Sequence, residues 1–284
     1  MMPNLMAAPG GETGRRRAIA RRVVDRLAGE TDLTASLLAG SAAQGISDEH
    51  SDIDLLNYYE VLPEPAAFDA VLSRMGAHRM GDIGPPGPEG FGASYQLDGI
   101  EVQTGGQLVA LLEQRLERLA AGDVDWIAAK VAQGLLEGIP LYGDDLIRGW
   151  QERVRYPEAL RKREVEANLG FFPIWKLDDH LGARDAELFR RQMLLDGAFR
   201  VVAVLSAINR LYFTTFQFKR AGAHVERMSL KPERLKERLD RIANAAPSDA
   251  SEELRTLVED TKTIVAVEMP DVDVTVAWNP IPDP

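Results

Sequence analysis

Residues 33–56 constrain the fold more than any other part of the chain. Leu33 to Leu38 form an apolar run that stops at Gly40-Ser41, and after a ten-residue polar spacer Asp52-Ile53-Asp54-Leu55-Leu56 opens a second run. Short apolar runs bounded by Gly, Ser and Asp read as strands. The expectation is therefore a strand, a tight Gly-Ser turn, a polar loop and a second strand carrying two carboxylates. Side chains two apart on a strand share a face, about 6.6 Å apart along it. Asp52 and Asp54 then point one way, and Ile53 and Leu55 point into a core. Two carboxylates so placed can share a hard divalent cation such as Mg²⁺. A Gly-Ser turn beside them offers backbone N–H groups and a hydroxyl to a phosphate chain.

This arrangement resembles the nucleotidyltransferases of the DNA polymerase β superfamily, whose signature is Gly-Ser, a spacer of similar length, then Asp-x-Asp. It is most similar to the aminoglycoside adenylyltransferases that modify streptomycin and spectinomycin. Their motif runs from Gly-Ser-Ala to His-Ser-Asp-Ile-Asp-Leu-Leu, matched here by Gly40-Ser41-Ala42 and His50 to Leu56. The resemblance is dense over residues 37–56 and thin elsewhere. It implies an α+β nucleotidyltransferase domain, a mixed sheet flanked by helices, followed by an all-α helical bundle, with the active site in the cleft between them. It also implies an enzyme that uses two Mg²⁺ ions to move a nucleoside monophosphate, AMP from ATP, to a hydroxyl of a small acceptor such as an aminoglycoside, releasing pyrophosphate.

Composition bears on the acceptor. Residues 1–150 hold 12 Lys/Arg against 22 Asp/Glu, whereas residues 151–284 hold 21 against 22. Six of those 12 basic residues lie between Arg15 and Arg26, so the rest of the first part is strongly acidic. Nucleic-acid binders carry a basic stripe, because phosphate neutralisation dominates their affinity. An acidic surface instead favours a cationic acceptor or Mg²⁺, although solubility alone would also account for it. There is no cysteine, which excludes disulfides and thiolate metal sites. Apolar stretches fall short of the ~20 residues a membrane span needs, and Met1 to Gly14 lacks the apolar centre of a signal peptide. A cytoplasmic location is expected.

Along the chain, residues 1–14 read as a flexible leader, 15–145 as the catalytic domain, 146–269 as the helical bundle and 270–284 as an extended tail. Ile19, Val23, Val24 and Leu27 predict a first helix, with arginines on its other faces. Pro63 to Met75, Leu108 to Leu119 and Trp126 to Leu136 also read as helices. Gly81 to Gly92 holds five glycines and three prolines, which predicts an exposed loop without regular structure. Ala93 to Leu97 and Ile100 to Thr104, joined at Asp98-Gly99, read as a hairpin. Residues 140–145 read as a hinge, and 157–181, 184–214, 231–245 and 250–267 as long amphipathic helices.

The superfamily places a third carboxylate on a later strand, and Glu101 fits. In Ile100-Glu101-Val102-Gln103 the aliphatics take one face and the polar pair the other. A Glu within a buried strand is costly unless paired or metal-bound; on an exposed edge strand it would simply be solvated. The resemblance makes Glu101 a metal ligand with Asp52 and Asp54, and the base. It makes Gly40 and Ser41 phosphate contacts. His50 either touches phosphate or pins its loop. The four histidines are not paired at ligand spacing, which argues against zinc. Trp126, 25 residues after Glu101, matches an acceptor-stacking Trp in the resembling enzymes, and packing at a helix start explains it equally. Asp196 lies between Met193 and Phe199 at helical spacing. It could receive an acceptor amine in a cleft or pair with Arg200 at i+4. Lys219 is the candidate for the bundle lysine that holds the triphosphate. Two other readings stay open: modification of a protein side chain, as in AMPylating or antitoxin-type members, and a regulatory protein that binds nucleotide without turnover.

Overall fold

The computed structural model describes residues 11–84 and 86–275. It divides into two compact units: the chain up to Asp123 together with Val131–Arg155, and Val124–Lys130 together with the chain from Tyr156 onward.

The first unit is built on a six-stranded mixed sheet in spatial order β3-β4-β5-β2-β1-β6. Its strands are β1 (Leu33–Ala39), β2 (Ile53–Tyr59), β3 (His78–Asp82), β4 (Gly90–Leu97), β5 (Ile100–Leu108) and β6 (Ile139–Tyr142). β2 and β5 pair in parallel, and the other neighbours are antiparallel. Helix α1 (Gly11–Glu30) and helix α3 (Pro65–Arg74) cover one face. The stripe Ile19, Val23, Leu27 on α1 and Phe68 and Leu72 on α3 pack with Leu38, Ile53, Leu55, Tyr95 and Val102 in one core. Each such side chain contributes about 1.5–3 kcal/mol on burial. The burial alternates along β2 and β5, so Asp54, Glu101 and Gln103 take the opposite face. Part of that face is closed by helices α4 (Val109–Ala120) and α6 (Asp144–Arg153), which lie against β5 and β1. Trp150 of α6 meets Tyr58 edge-on at 4.9 Å and donates to Glu113 of α4 at 2.5 Å. Buried Asn57 crosses the sheet: it accepts from Ser36 Oγ (2.7 Å) and donates to Thr104 Oγ1 and the Gly105 carbonyl (both 2.8 Å).

Several expectations need correction. Residues 140–145 are no hinge: Ile139–Tyr142 is the edge strand β6, paired with β1, and α6 after it belongs to the sheet unit. The division therefore falls after Arg155 rather than at 145. Segment 81–92 is partly regular, since β3 runs to Asp82 and β4 begins at Gly90. Where β4 begins, glycine serves close strand approach: a Cβ on Gly90 would stand 2.7 Å from the Gly106 oxygen, and across the pair one on Gly105 of β5 would stand only 2.0 Å from the Phe91 oxygen. Helix α1 begins at Gly11, inside the expected leader, whose residues 1–10 lie outside the described residues, as do 276–284 of the tail.

The second unit is helical. It contains α7 (Glu158–Asn168), a π-helical turn at Lys176–His180, α8 (Glu187–Ile208), a 3-10 turn at Thr215–Arg220, α9 (Ala221–Glu226), α10 (Leu235–Asn244) and α11 (Pro247–Glu268). The first turn of helix α5 (Trp126–Glu137) counts with it. The expected helix over 157–181 stops at Asn168, ahead of Gly170 and Pro173, neither of which favours a helix interior. α8 is central, packing on α7, α10 and α11. At Gly197 a Cβ would lie 2.7 Å from Leu254 Cδ2, so glycine lets α8 and α11 approach.

His224 of α9 is 3% exposed and bonds Ser206 Oγ through Nε2 at 3.0 Å, among the rings of Phe213 and Phe218. Burial lowers its pKa from 6.5 to about 4. Above pH 6.5 the ring is neutral folded or unfolded. As pH falls from about 6.5 to about 4, only the unfolded chain takes up the proton, so stability is lost across that window, by about 2–4 kcal/mol. Urea melts of the helical signal at pH 7 and pH 4.5 should show the loss in the wild type and a smaller one in His224→Phe. An equal loss in both would assign the acid sensitivity elsewhere.

Candidate active site

The site starts from two glycines that bracket a short helix. Gly40 (φ +64°) and Gly45 (φ +82°) flank α2 (Gly40–Gln44), and the N–H of Gly45 closes back on the Ser41 carbonyl. The Gly-Ser segment is thus a helical turn rather than the expected tight turn, with Ala42 and Ala43 buried. Gly40 follows Ala39, the register partner of Asp54. A Cβ at Gly40 would lie 2.0 Å from Asp54 Oδ2. The glycine therefore lets the backbone reach the carboxylate. Ser41 Oγ lies 3.3 Å from Ser47 Oγ.

β2 begins at Ile53, so Asp52 immediately precedes the strand and Asp54 is its second residue. Both are half-buried, with Ile53 and Leu55 buried as the alternation requires. Asp54 stands beside Gln103 in the parallel β2–β5 register. Glu101, half-buried on the interior strand β5, accepts from Ser94 Oγ at 2.6 Å. The amide nitrogen of Gln103 donates to both Asp52 Oδ2 and Glu101 Oε1, each at 3.1 Å. One neutral amide N–H₂ thus holds two carboxylates, one just ahead of β2 and one on β5. Among the described residues, no group of three His, Cys, Asp or Glu side chains stands close enough to hold a metal ion. The bridging by Gln103 was missed in the sequence; its shared face with Glu101 was the available signal.

The 45–51 loop is held from α1. Arg16 is 1% exposed. Its Nε donates to the Ser51 carbonyl at 2.7 Å, Nη2 to the Glu49 carbonyl at 3.3 Å, and Nη1 pairs with the Glu12 carboxylate. Arg17 donates to the carbonyls of Ala42 and Ala43, both at 2.8 Å, and so caps the end of α2. These arginines, expected on the outer faces of the helix, position the residues leading into Asp52. His50 does not pin the loop: its side chain is 87% exposed, near Glu49. Asp48 does so, accepting from the His50 N–H at 3.1 Å and from Ser51 Oγ at 2.9 Å. Arg16→Ala leaves the Ser51 and Glu49 carbonyls without their charged donor and opens the space the buried guanidinium fills, and should cost about 2–3 kcal/mol, read as a fall of several degrees in Tm. A Tm within one degree of wild type would show the clamp to be dispensable.

The remaining candidates lie in the second unit. Trp126 opens α5, and its side chain lies outside the described residues. Asp196 is half-buried on α8; Arg200 donates to the Ala167 carbonyl at 3.3 Å, so among the described residues the i+4 pair with Asp196 is not made. Lys219 is exposed in the 3-10 turn at Thr215–Arg220. Among the described residues, no helix is long and apolar enough to cross a membrane.

No protein-family model matches the chain, and no curated protein matches it. Among solved structures, the chain is similar to a nucleotidyltransferase-like protein from Exiguobacterium sibiricum 255-15. That likeness covers 92% of this chain and 81% of the other, at 13% identity and a TM-score of 0.32.

Proposed function

We propose that the chain is a nucleotidyltransferase that transfers a nucleoside monophosphate, AMP from ATP, to a hydroxyl of a small cationic acceptor such as an aminoglycoside. The observation that carries this reading is the gathering of Gly40 against Asp54 with the convergence of Asp52 and Glu101 on one nitrogen. The carboxylates of Asp52, Asp54 and Glu101 are the hard oxygen donors that Mg²⁺ requires, and two of them already share one amide donor. Asp52, Asp54 and Glu101 would hold two divalent ions. Bound there, such ions lower the pKa of an attacking hydroxyl and neutralise departing phosphate.

The residues then divide the work. Ser41 donates its hydroxyl to a phosphate oxygen, and Gly40 permits the triphosphate to lie close to the backbone. Glu101 takes the proton of the acceptor hydroxyl as the acceptor oxygen bonds to the α-phosphorus. The bond from that phosphorus to the β-phosphate oxygen breaks, and its electron pair leaves with pyrophosphate. Lys219 is assigned to the triphosphate, Asp196 to an acceptor amine and Trp126 to stacking on the acceptor. The acidic excess of the first 150 residues supports a cationic acceptor over a nucleic acid.

A second reading, nucleotide binding without turnover, draws on the amide of Gln103 standing between Asp52 and Glu101. One assay separates the two. Labelled triphosphates with Mg²⁺ are screened against aminoglycosides and other hydroxylated amines, following pyrophosphate release. Release that needs both Mg²⁺ and an amine acceptor supports transfer. Tight nucleotide binding with no release against any acceptor supports the second reading.

A further inference from the structure

We propose that Gln103 is a built-in competitor of the divalent cation: its amide holds Asp52 and Glu101 while the site is metal-free and must turn away for the site to load. This rests on the reading of those carboxylates as cation ligands.

The geometry leads there directly. A single nitrogen donates to Asp52 Oδ2 and Glu101 Oε1 at 3.1 Å each, and Ser94 Oγ adds a 2.6 Å bond to the same Glu101 oxygen. Hydrogen bonds from one amide to two carboxylates are charge-assisted and stronger than neutral ones. They also offset the repulsion of two half-buried anions, one at the entry to β2 and one on the neighbouring strand β5. A cation that takes Asp52 and Glu101 as ligands uses the same oxygens. Bridge and cation therefore exclude one another at those oxygens, and the free energy of breaking the bridge is subtracted from cation affinity. A triphosphate arriving with its own Mg²⁺ would supply further ligands and displace the amide, whereas the bare ion would not compete as well. Gln103 thereby favours loading of the metal together with the nucleotide.

The competition makes a coupled prediction about stability and affinity. Gln103→Met keeps the length of the side chain and removes the donor. Without metal, this variant should melt a few degrees below wild type. At saturating Mn²⁺ the two should converge, because the bridge is absent from both loaded forms. By the same linkage, Mn²⁺ alone, with no nucleotide, should bind the variant about tenfold more tightly, measured by calorimetry or electron paramagnetic resonance. Gln103→Ala should move in the same direction, which guards against a packing effect of the methionine. Manganese affinity unchanged or weakened in both variants, with wild-type binding intact, would overturn the proposal and make Gln103 a ligand or a bystander. Absence of manganese binding in the wild type would bring down the reading of the carboxylates themselves, and the competitor role with it.

Discussion

Asp54→Asn should remove nucleotidyl transfer, lowering turnover by about 10³-fold or more, while the protein stays folded and melts within a few degrees of wild type. The size follows from removing one of the anionic ligands proposed for the metal, an effect of several kcal/mol on the transition state. The fold should persist because asparagine keeps the shape of the side chain packed against Gly40. It also relieves repulsion among the neighbouring carboxylates. Turnover within tenfold of wild type, measured as labelled product per enzyme, would place the chemistry elsewhere.

Gly40→Ala should damage stability and turnover together. The new Cβ would lie 2.0 Å from Asp54 Oδ2, and φ at this position is +64°. Positive φ alone costs an L-residue about 1 kcal/mol, and the collision adds to it, for a loss of about 3 kcal/mol. The least costly relief is rotation of Asp54 away from its place, which should lower turnover by at least a hundredfold. The double variant Gly40→Ala/Asp54→Ala tests the cause. Removing the carboxylate should return most of the lost stability without returning turnover, because contacting residues couple. A Gly40→Ala protein with wild-type Tm and turnover would mean that the close approach is not needed.

The parts legible in the sequence are those where pattern and packing agree. β2, β4 and β5 were readable because burial alternates along much of each, and β1 because it is buried on both faces and reads as one apolar run. The facing of Asp54 and Glu101 away from the core follows from the same alternation. β6 was not readable. It is four residues long, contains Pro140 and is bounded by Gly138 and Gly143, so local chemistry says hinge while pairing with β1 makes it a strand. β3 was obscured in the same way: its residues are largely exposed and run into the Gly/Pro segment. Helix α2 has five residues, too few to show a helical period. At the site, acidic residues were visible by type and spacing, whereas Arg16 was not. Its position on α1 looks like an ordinary solvated arginine, and only the path of the 45–51 loop over the helix buries it. Gln103 was hidden for a related reason, since its bond to Asp52 joins residues 51 apart in sequence.

The proposed role of Asp52, Asp54 and Glu101 in holding the cations that activate a nucleoside triphosphate can be tested by anomalous diffraction from crystals grown with Mn²⁺ and a non-hydrolysable ATP analogue. Manganese peaks are expected within coordinating distance of all three carboxylates and of the triphosphate, with the Gln103 amide no longer bonded to Asp52. Triphosphate bound with no manganese at these carboxylates, or manganese bound elsewhere while the Gln103 bridge stays intact, would contradict that role.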